Sequence, residues 1–150
     1  MNQPTLETTA GPAGGERAAE LLVAMARQRD FEGLRGALEK GADPNMRSAA
    51  GWTPLIAACR GGWIDGVDLL LSHGANPNFA NPRGTTPFMY AKTEAFASGN
   101  FSTLELLLSR GALINERDTA GLTVLDYVEM RHDALRGFLR QHGAERSAEN

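Results

Sequence analysis

One short segment occurs twice in this chain at a fixed distance. Residues 41–45 read Gly-Ala-Asp-Pro-Asn and residues 74–78 read Gly-Ala-Asn-Pro-Asn, an offset of 33 residues. A second marker keeps this offset, since Gly-Trp-Thr-Pro-Leu at 51–55 is followed by Gly-Thr-Thr-Pro-Phe at 84–88. A constant period near 33 residues indicates stacked copies of one small supersecondary unit, because each copy leaves an apolar face that only its neighbours can cover.

Local signals within each period predict two helices. Thr53 and Thr86 suit the N-cap of a first helix, and the proline after each one suits the first turn, where a missing N–H costs nothing. Apolar residues such as Leu70 and Leu107 then recur at helical spacing. Each second helix is expected to end near a glycine that can adopt the left-handed conformation: Gly41, Gly74, Gly111 and Gly143.

Four units can be placed on the sequence, at about residues 17–45, 46–78, 79–115 and 116–144. The second unit contains Thr-Pro-Leu-Ile-Ala-Ala at 53–58, which resembles the T-P-L-H-x-A motif of the ankyrin-repeat family except at the histidine. The resemblance covers roughly residues 17–145. It implies an all-α solenoid of about four helix-turn-helix units, with short β-turn or hairpin fingers.

The third unit departs from the period. From Gly84 to Gly121 there are 37 residues, so this unit carries four extra residues, which we place at about 94–97. They are expected to lengthen the first helix of the unit or the loop after it. A loop that breaks a repeat is often functional.

The family resemblance assigns structural roles to two further positions. The motif histidine, which bridges neighbouring units in the family, is absent, and its absence predicts reduced rigidity between units. Its places are taken by Ile56, Met89 and Asp126. The resemblance also implies that one recurring asparagine ties each finger to its neighbour by hydrogen bonds, with hydroxylation as the alternative role: Asn45, Asn78 and Asn115.

Composition narrows the class of protein. The chain has 150 residues, 42% of them hydrophobic, and a formal net charge of −3. These values suit one soluble domain with its own core, and the charge is too small to indicate nucleic acid as the main target. No apolar run approaches the ~18 residues of a membrane-spanning helix. Cys59 is the only cysteine, so no intramolecular disulfide is expected and a cytoplasmic setting fits.

The two ends are expected to differ from the repeats. Residues 1–15 are rich in Thr, Gly and Pro without an apolar core, which predicts a flexible leader and not a signal peptide. We expect the repeat domain over 16–145 and a disordered tail over 146–150. Polar residues on the outer units are typical of terminal caps, so we expect a complete array and a monomer.

The sequence contains no set of residues that indicates an enzyme. It has no glycine-rich phosphate loop, no paired cysteines and no histidine pair at metal-binding spacing, so we expect neither a cofactor nor a metal. Cys59 stands where the family has a small buried residue. His73, His132 and His142 are expected to be structural.

The resemblance implies that a partner binds the concave face, which consists of finger tips and the exposed side of each first helix. Six arginines map there although the chain is net acidic: Arg27, Arg47, Arg60, Arg83, Arg117 and Arg131. They predict a groove for an acidic, partly apolar segment, or alternatively serve only to keep the fingers soluble. The candidate binding residues are Arg47, Trp52, Arg60, Arg83, Thr85, Tyr90, Phe96, Arg117, Leu122, Met130 and Arg131.

The expected function is therefore a protein–protein interaction module that acts as an adaptor, scaffold or inhibitor. The alternative is a regulatory subunit or exported effector whose leader directs its location, and a nucleic-acid binder ranks below both. Trp63, in the turn between the two helices of unit two, is expected to cover the neighbouring unit or to mark a second contact surface.

Overall fold

Residues 12–128 and 130–149 are described by the computed structural model, and within them the chain forms helices, turns and loops but no strand. The described residues include two short 3-10 helices, Val124–Tyr127 and Ser147–Glu149. The α-helices are α1 (Pro12–Arg27), α2 (Phe31–Glu39), α3 (Pro54–Arg60), α4 (Ile64–Ser72), α5 (Pro87–Ser98), α6 (Ser102–Ser109) and α7 (Asp133–Gln141).

The helices stack in two layers, which confirms the predicted all-α solenoid. The first helices α1, α3 and α5 pack side by side in one layer, and the second helices α2, α4 and α6 pack side by side in the other. The predicted N-caps are also confirmed, because Thr53 accepts a hydrogen bond from the Ile56 N–H and Thr86 accepts one from the Met89 N–H. Between the layers a continuous apolar core runs from unit one to unit four.

Each finger is a tight turn that a glycine in the left-handed region closes. In the finger of unit three, the Asn81 N–H donates to the Thr85 carbonyl at 3.1 Å and Gly84 has φ of 74°. A Cβ on Gly84 would lie 2.8 Å from the Cα of Asp118 in the next finger. Glycine is therefore required here both for the backbone conformation and for the close approach of two fingers.

A ladder of three asparagine side chains joins the units, which confirms the predicted structural role of this position. Asn78 donates to the Gly111 carbonyl at 3.0 Å and accepts from the Leu113 N–H at 2.8 Å. Asn45 and Asn115 make the equivalent pairs of bonds with the units that follow them. Each asparagine thus satisfies one carbonyl and one N–H at the end of the next unit's second helix.

Replacing the central asparagine should loosen the array. In Asn78→Ala the Gly111 carbonyl and the Leu113 N–H lose their partners, and we expect the free energy of unfolding to fall by about 1–2 kcal/mol. Urea denaturation followed by circular dichroism measures this. The control is Glu116→Ala on the neighbouring finger, whose side chain is exposed. A change below about 0.5 kcal/mol in Asn78→Ala, as is usual for surface substitutions, would contradict the ladder's role.

Two predicted features of the termini differ in the structure. α1 begins at Pro12, so residues 12–15 of the expected leader belong to a helix, while residues 1–11 lie outside the described residues. Ser147–Glu149, assigned from the sequence to a disordered tail, form a 3-10 helix. That turn is held because the Ser147 N–H donates to the Asp126 carboxylate at 3.0 Å and the Glu145 carbonyl accepts from the Thr123 hydroxyl at 2.6 Å.

The first helix of unit four is a single 3-10 turn instead of an α-helix, which differs from the helix-turn-helix unit expected there. Asp126 accepts from the Thr123 N–H at 2.8 Å in a capping box, and Val128 already has extended backbone. Asp126 stands at the position of the missing motif histidine, and it accepts a hydrogen bond from the Ser147 N–H. Ile56 and Met89, at the same position in units two and three, are buried.

The Asp126 carboxylate should make the stability of unit four depend on pH. Its desolvation would raise its pKa, but the hydrogen bonds from Thr123 and Ser147 outweigh this and lower the pKa below the usual range. A depressed carboxyl pKa contributes stability above the unfolded-state pKa of about 3.9, and that contribution is lost as the pH falls through the folded-state pKa. Asp126→Asn should therefore lose less stability than wild type between pH 6 and pH 3.

Urea denaturation at several pH values tests this expectation, with the exposed Glu116→Gln as the matched control. Equal acid dependence in wild type and Asp126→Asn would show that Asp126 does not supply the acid-sensitive stability.

The four extra residues of unit three lengthen its first helix. α5 has 12 residues where α3 has seven. The added turn carries Phe96 out to His132, whose ring centroid is 3.8 Å from that of Phe96. The insert therefore contacts the beginning of α7 in unit four.

Trp63 covers its own unit and its neighbour, as the first of its two expected roles requires. Its side chain is buried, its ring meets Phe31 edge-on at 6.3 Å, and its six-membered ring lies over Gly66. A Cβ on Gly66 would be 2.1 Å from the indole, whereas a Cβ on Gly36 in α2 would meet nothing within 4 Å.

Replacement of Gly36 and of Gly66 by alanine should change the free energy of unfolding in opposite directions. Gly36→Ala should raise the free energy of unfolding by about 0.5–1 kcal/mol through helix propensity. Gly66→Ala should lower it by about 1–3 kcal/mol, because the added methyl group displaces the indole of Trp63. Thermal and urea denaturation of the two variants measure the difference. If Gly66→Ala were as stable as Gly36→Ala, the indole would not be packed on this glycine.

Candidate functional site

Two guanidinium groups lie near the indole of Trp52, on the side of the array that carries the first helices. The Cζ atom of Arg27 is 5.1 Å from the indole centroid, and that of Arg60 is 5.3 Å from it. Arg27 is the last residue of α1 and Arg60 is the last residue of α3, while Trp52 directly precedes the N-cap of α3. Units one and two therefore each supply one guanidinium group to the same aromatic ring, within cation–π distance.

An open cleft of about 220 Å³ lies beside this ring, and we call it the Arg27–Trp52–Arg60 cleft. Ala57 and Gly61 complete its lining. Ala57 comes four residues after its N-cap threonine, and the corresponding residues of units three and four are Tyr90 and Tyr127. The small side chain in unit two leaves room that a tyrosine occupies in the later units.

The two guanidinium groups of the cleft carry charge that the described residues do not neutralise. Neither Arg27 nor Arg60 forms an ion pair or hydrogen bond there, in contrast to Arg35, Arg110 and Arg136, which contact carboxylates. Both side chains are exposed. An arginine fork of this kind pairs with a planar carboxylate through two parallel hydrogen bonds.

Aromatic rings continue from the cleft across units three and four. The centroid of Tyr90 is 5.2 Å from that of Trp52, and its hydroxyl accepts a hydrogen bond from the Asn81 amide at 2.9 Å. The Lys92 ammonium lies 5.1 Å from the centroid of Tyr127. Desolvation lowers the pKa of Lys92.

Tyr127 is fixed by Asp118 of its own finger. The tyrosine hydroxyl donates to the Asp118 carboxylate, and this bond, with desolvation, raises the tyrosine's pKa. Desolvation would raise the pKa of Asp118, but hydrogen bonds from Tyr127 and from the N–H groups of Leu122 and Ala120 lower it overall. Asp118 therefore stays ionised and is occupied within its finger.

Three exposed apolar side chains lie on α5 of unit three and on the segment of unit four that precedes α7. Phe96 is 42% exposed, Tyr127 44% and Met130 70%, and we call these three residues the unit-four apolar surface. Phe96 and Lys92 are four residues apart on α5, so they share one face of that helix. On this face, the Lys92 ammonium lies over the ring of Tyr127. Phe96 is stacked on His132, two residues after Met130.

Two of the predicted binding arginines are engaged within the protein. Arg47 donates to the Ala80 carbonyl at 2.5 Å and lies over the Phe79 ring, so it joins neighbouring fingers. Arg117 donates to the carbonyls of Gly121 and Ser147, which connects its finger to the tail. Both contribute contacts to the array itself.

The remaining predicted residues lie along the finger row or beyond it. Thr85 and Leu122 are half-buried, and their N–H groups donate to Asn81 and Asp118 inside their own turns. The exposed Arg83 accepts at its carbonyl from the Thr119 N–H, and Arg131 is exposed in the turn before α7. The structure thus brings together Trp52, Arg60 and Tyr90 in one place, and it places Phe96 against His132 in another.

Sequence reasoning missed the contributions of Ala57 and Arg29. Comparing the residue four places after each N-cap threonine would have singled out Ala57. Arg29 has φ of 55° in a turn where units two and three have left-handed Gly62 and Gly99, and its guanidinium donates to the Gly61 carbonyl at 2.6 Å. Arg29 thereby fixes the residue that lines the far end of the cleft.

The residues singled out for chemistry have structural surroundings. Cys59 is fully buried, and desolvation raises its pKa far above the usual range of a thiol, so it is not a reactive nucleophile. The imidazole of His142 lies 2.8 Å from the Phe138 carbonyl. In the described segments, no three His, Cys, Asp or Glu side chains are grouped so that they could hold a metal ion.

A family model described as ankyrin repeats, in three copies, matches residues 21–118. The chain belongs to the ankyrin-repeat family. The match spans units one to three and the beginning of unit four, and it covers the whole cleft. Ankyrin repeats are in general protein–protein interaction modules, and the family is typically not enzymatic. A search of curated proteins found no match to the chain.

Membrane insertion has no support from the helices. Across residues 12–128 and 130–149, no helix combines the length and the apolar character needed to cross a bilayer.

Proposed function

We propose that this ankyrin-repeat protein binds a partner protein through its concave face, with the Arg27–Trp52–Arg60 cleft as the centre of the interface. The observation that carries this proposal is the pair of guanidinium groups on one indole that no described carboxylate neutralises. Trp and Arg are the residue types that most often dominate binding energy in protein interfaces.

The shape of the cleft supports a protein ligand over a small molecule. At about 220 Å³ it is smaller than the ~300–1,000 Å³ typical of small-molecule pockets, and it is open to solvent. It also continues into the rings of Tyr90 and Tyr127 on the following units. An elongated polypeptide segment fits a surface that extends over several repeats.

The protein would act by occupying or connecting its partner, as an adaptor, scaffold or inhibitor in the cytoplasm, and as a monomer. The alternative is a regulatory subunit or exported effector whose leader directs its location. In that case removal of residues 1–11 would change the location of the protein and leave partner binding intact.

Nucleic acid is a weaker candidate for the partner. Arginines beside aromatic rings can stack on bases, but the chain has a net charge of −3. Binding to nucleic acid would show a steep linear dependence of the logarithm of affinity on the logarithm of salt concentration.

Charge reversal in the cleft should abolish partner capture. In Arg27→Glu/Arg60→Glu both side chains are exposed, so we expect thermal stability to change little and affinity to fall at least about tenfold, because two charge-assisted contacts become repulsive. Affinity capture from the native lysate, quantified by mass spectrometry, measures the loss.

The matched control is Lys40→Glu/Arg140→Glu, which changes the net charge equally at the exposed ends of α2 and α7. The partner should be retained by wild type and by the control. A specific partner that all three proteins retain equally would show that the concave cleft is not the interface.

A further inference from the structure

We propose that the concave groove recognises an extended acidic segment at two points: a carboxylate in the Arg27–Trp52–Arg60 cleft, and an apolar side chain five or six residues away on the unit-four apolar surface. This inference rests on the proposed function and specifies the chemistry of its partner.

The first contact point is built for a carboxylate. Two guanidinium groups approach one indole from α1 and α3 and line the same cleft, so their positive charges add there. A carboxylate in the cleft offsets that charge and accepts hydrogen bonds from the guanidinium groups. The indole of Trp52 supports the methylene groups of an Asp or Glu side chain beside it.

The second contact point is built for an apolar side chain. Six large hydrophobic residues of the described chain are exposed, and three of them form the unit-four apolar surface. This surface exists because the insert lengthens α5 to carry Phe96 and because unit four has only a 3-10 turn before Met130. The ring of Phe96 is stacked on that of His132, which restricts its position.

The stacking of the units sets the distance between the two points. The cleft lies between α1 and α3, and the unit-four apolar surface lies between α5 and the 3-10 helix Val124–Tyr127, so two helix-to-helix steps separate them. Packed helices are about 8–10 Å apart, which gives roughly 16–20 Å. An extended chain advances about 3.3 Å per residue, so this distance corresponds to about five or six residues.

The surface between the two points constrains the intervening residues. Tyr90 offers a ring next to Trp52, and Lys92 adds a cation over Tyr127. A segment without Lys or Arg between its acidic and apolar residues is therefore favoured. The net charge of −3 disfavours a polyanionic nucleic acid, which makes an acidic polypeptide the better match.

Synthetic peptides of about a dozen residues test this proposal with the full chain. Each peptide contains one Glu and one Leu in a Gly/Ser/Ala background, with the Leu three to eight residues from the Glu in either order. Calorimetric titration gives the affinity, which should be highest at a separation of five or six and at least about tenfold lower at three or eight. Peptides with Gln in place of Glu should also lose about tenfold.

Two pairs of protein variants assign the contacts. Arg27→Gln/Arg60→Gln should remove the preference for Glu over Gln, whereas the matched Lys40→Gln/Arg140→Gln should keep it. Phe96→Ser/Met130→Ser should remove the preference for a particular Leu position, whereas Leu113→Ser, an equally exposed apolar site elsewhere, should keep it.

The outcomes separate the inference from the proposed function. Affinity that depends on Glu and on Arg27 and Arg60 but not on the Leu position would overturn two-point recognition and leave the concave interface intact. No binding by any peptide at millimolar concentration, or tighter binding of a phosphoserine peptide than of the Glu peptide, would also overturn it. Retention of the lysate partner by Arg27→Glu/Arg60→Glu would instead remove the proposed function itself.

Discussion

Contact between successive units is the constraint on which this structure depends, because a single helix pair cannot cover its own apolar face. The core is therefore one continuous row of side chains and not four separate clusters. Burial favours stacking but does not fix its register. The asparagine ladder fixes it, since the side chain of Asn78 fits only one carbonyl and one N–H at the end of the next second helix. Arg47 and the Thr119 N–H add further bonds between fingers.

The candidate site is a product of that register. Arg27 comes from unit one and Arg60 from unit two, and they meet at Trp52 only when the two units are stacked in this order and offset. The same packing closes the end of the cleft, where Arg29 reaches from unit one to the Gly61 carbonyl of unit two. A shift of one unit against the other would therefore change how the two guanidinium groups are placed around Trp52.

The sequence predicted the contacts that every unit repeats, but it predicted less of the contacts that are particular to one unit. The period, the threonine caps and the recurring asparagines identify contacts that every unit makes in the same way, so they were read correctly. The contact partner of each arginine could not be predicted from the sequence, because a guanidinium group at a repeated position bonds to whichever acceptor lies within its reach. Arg47 donates to the Ala80 carbonyl, whereas Arg60 lies over the ring of Trp52. Nor could the period show that unit four would keep only one 3-10 turn.

The fold tolerates the positive charges of Arg27 and Arg60 because both side chains are exposed to solvent. An exposed guanidinium keeps most of its hydration, and its stem packs on Trp52, so the folded chain gives up little by leaving it without a carboxylate. The remainder of the chain is net acidic, which offsets the repulsion between Arg27 and Arg60 at longer range. Arg35 and Arg110 reach carboxylates, whereas Arg47, like the two arginines of the cleft, lies over an aromatic ring. Because the fold does not neutralise Arg27 and Arg60, both remain available for the anionic group of another molecule that we propose.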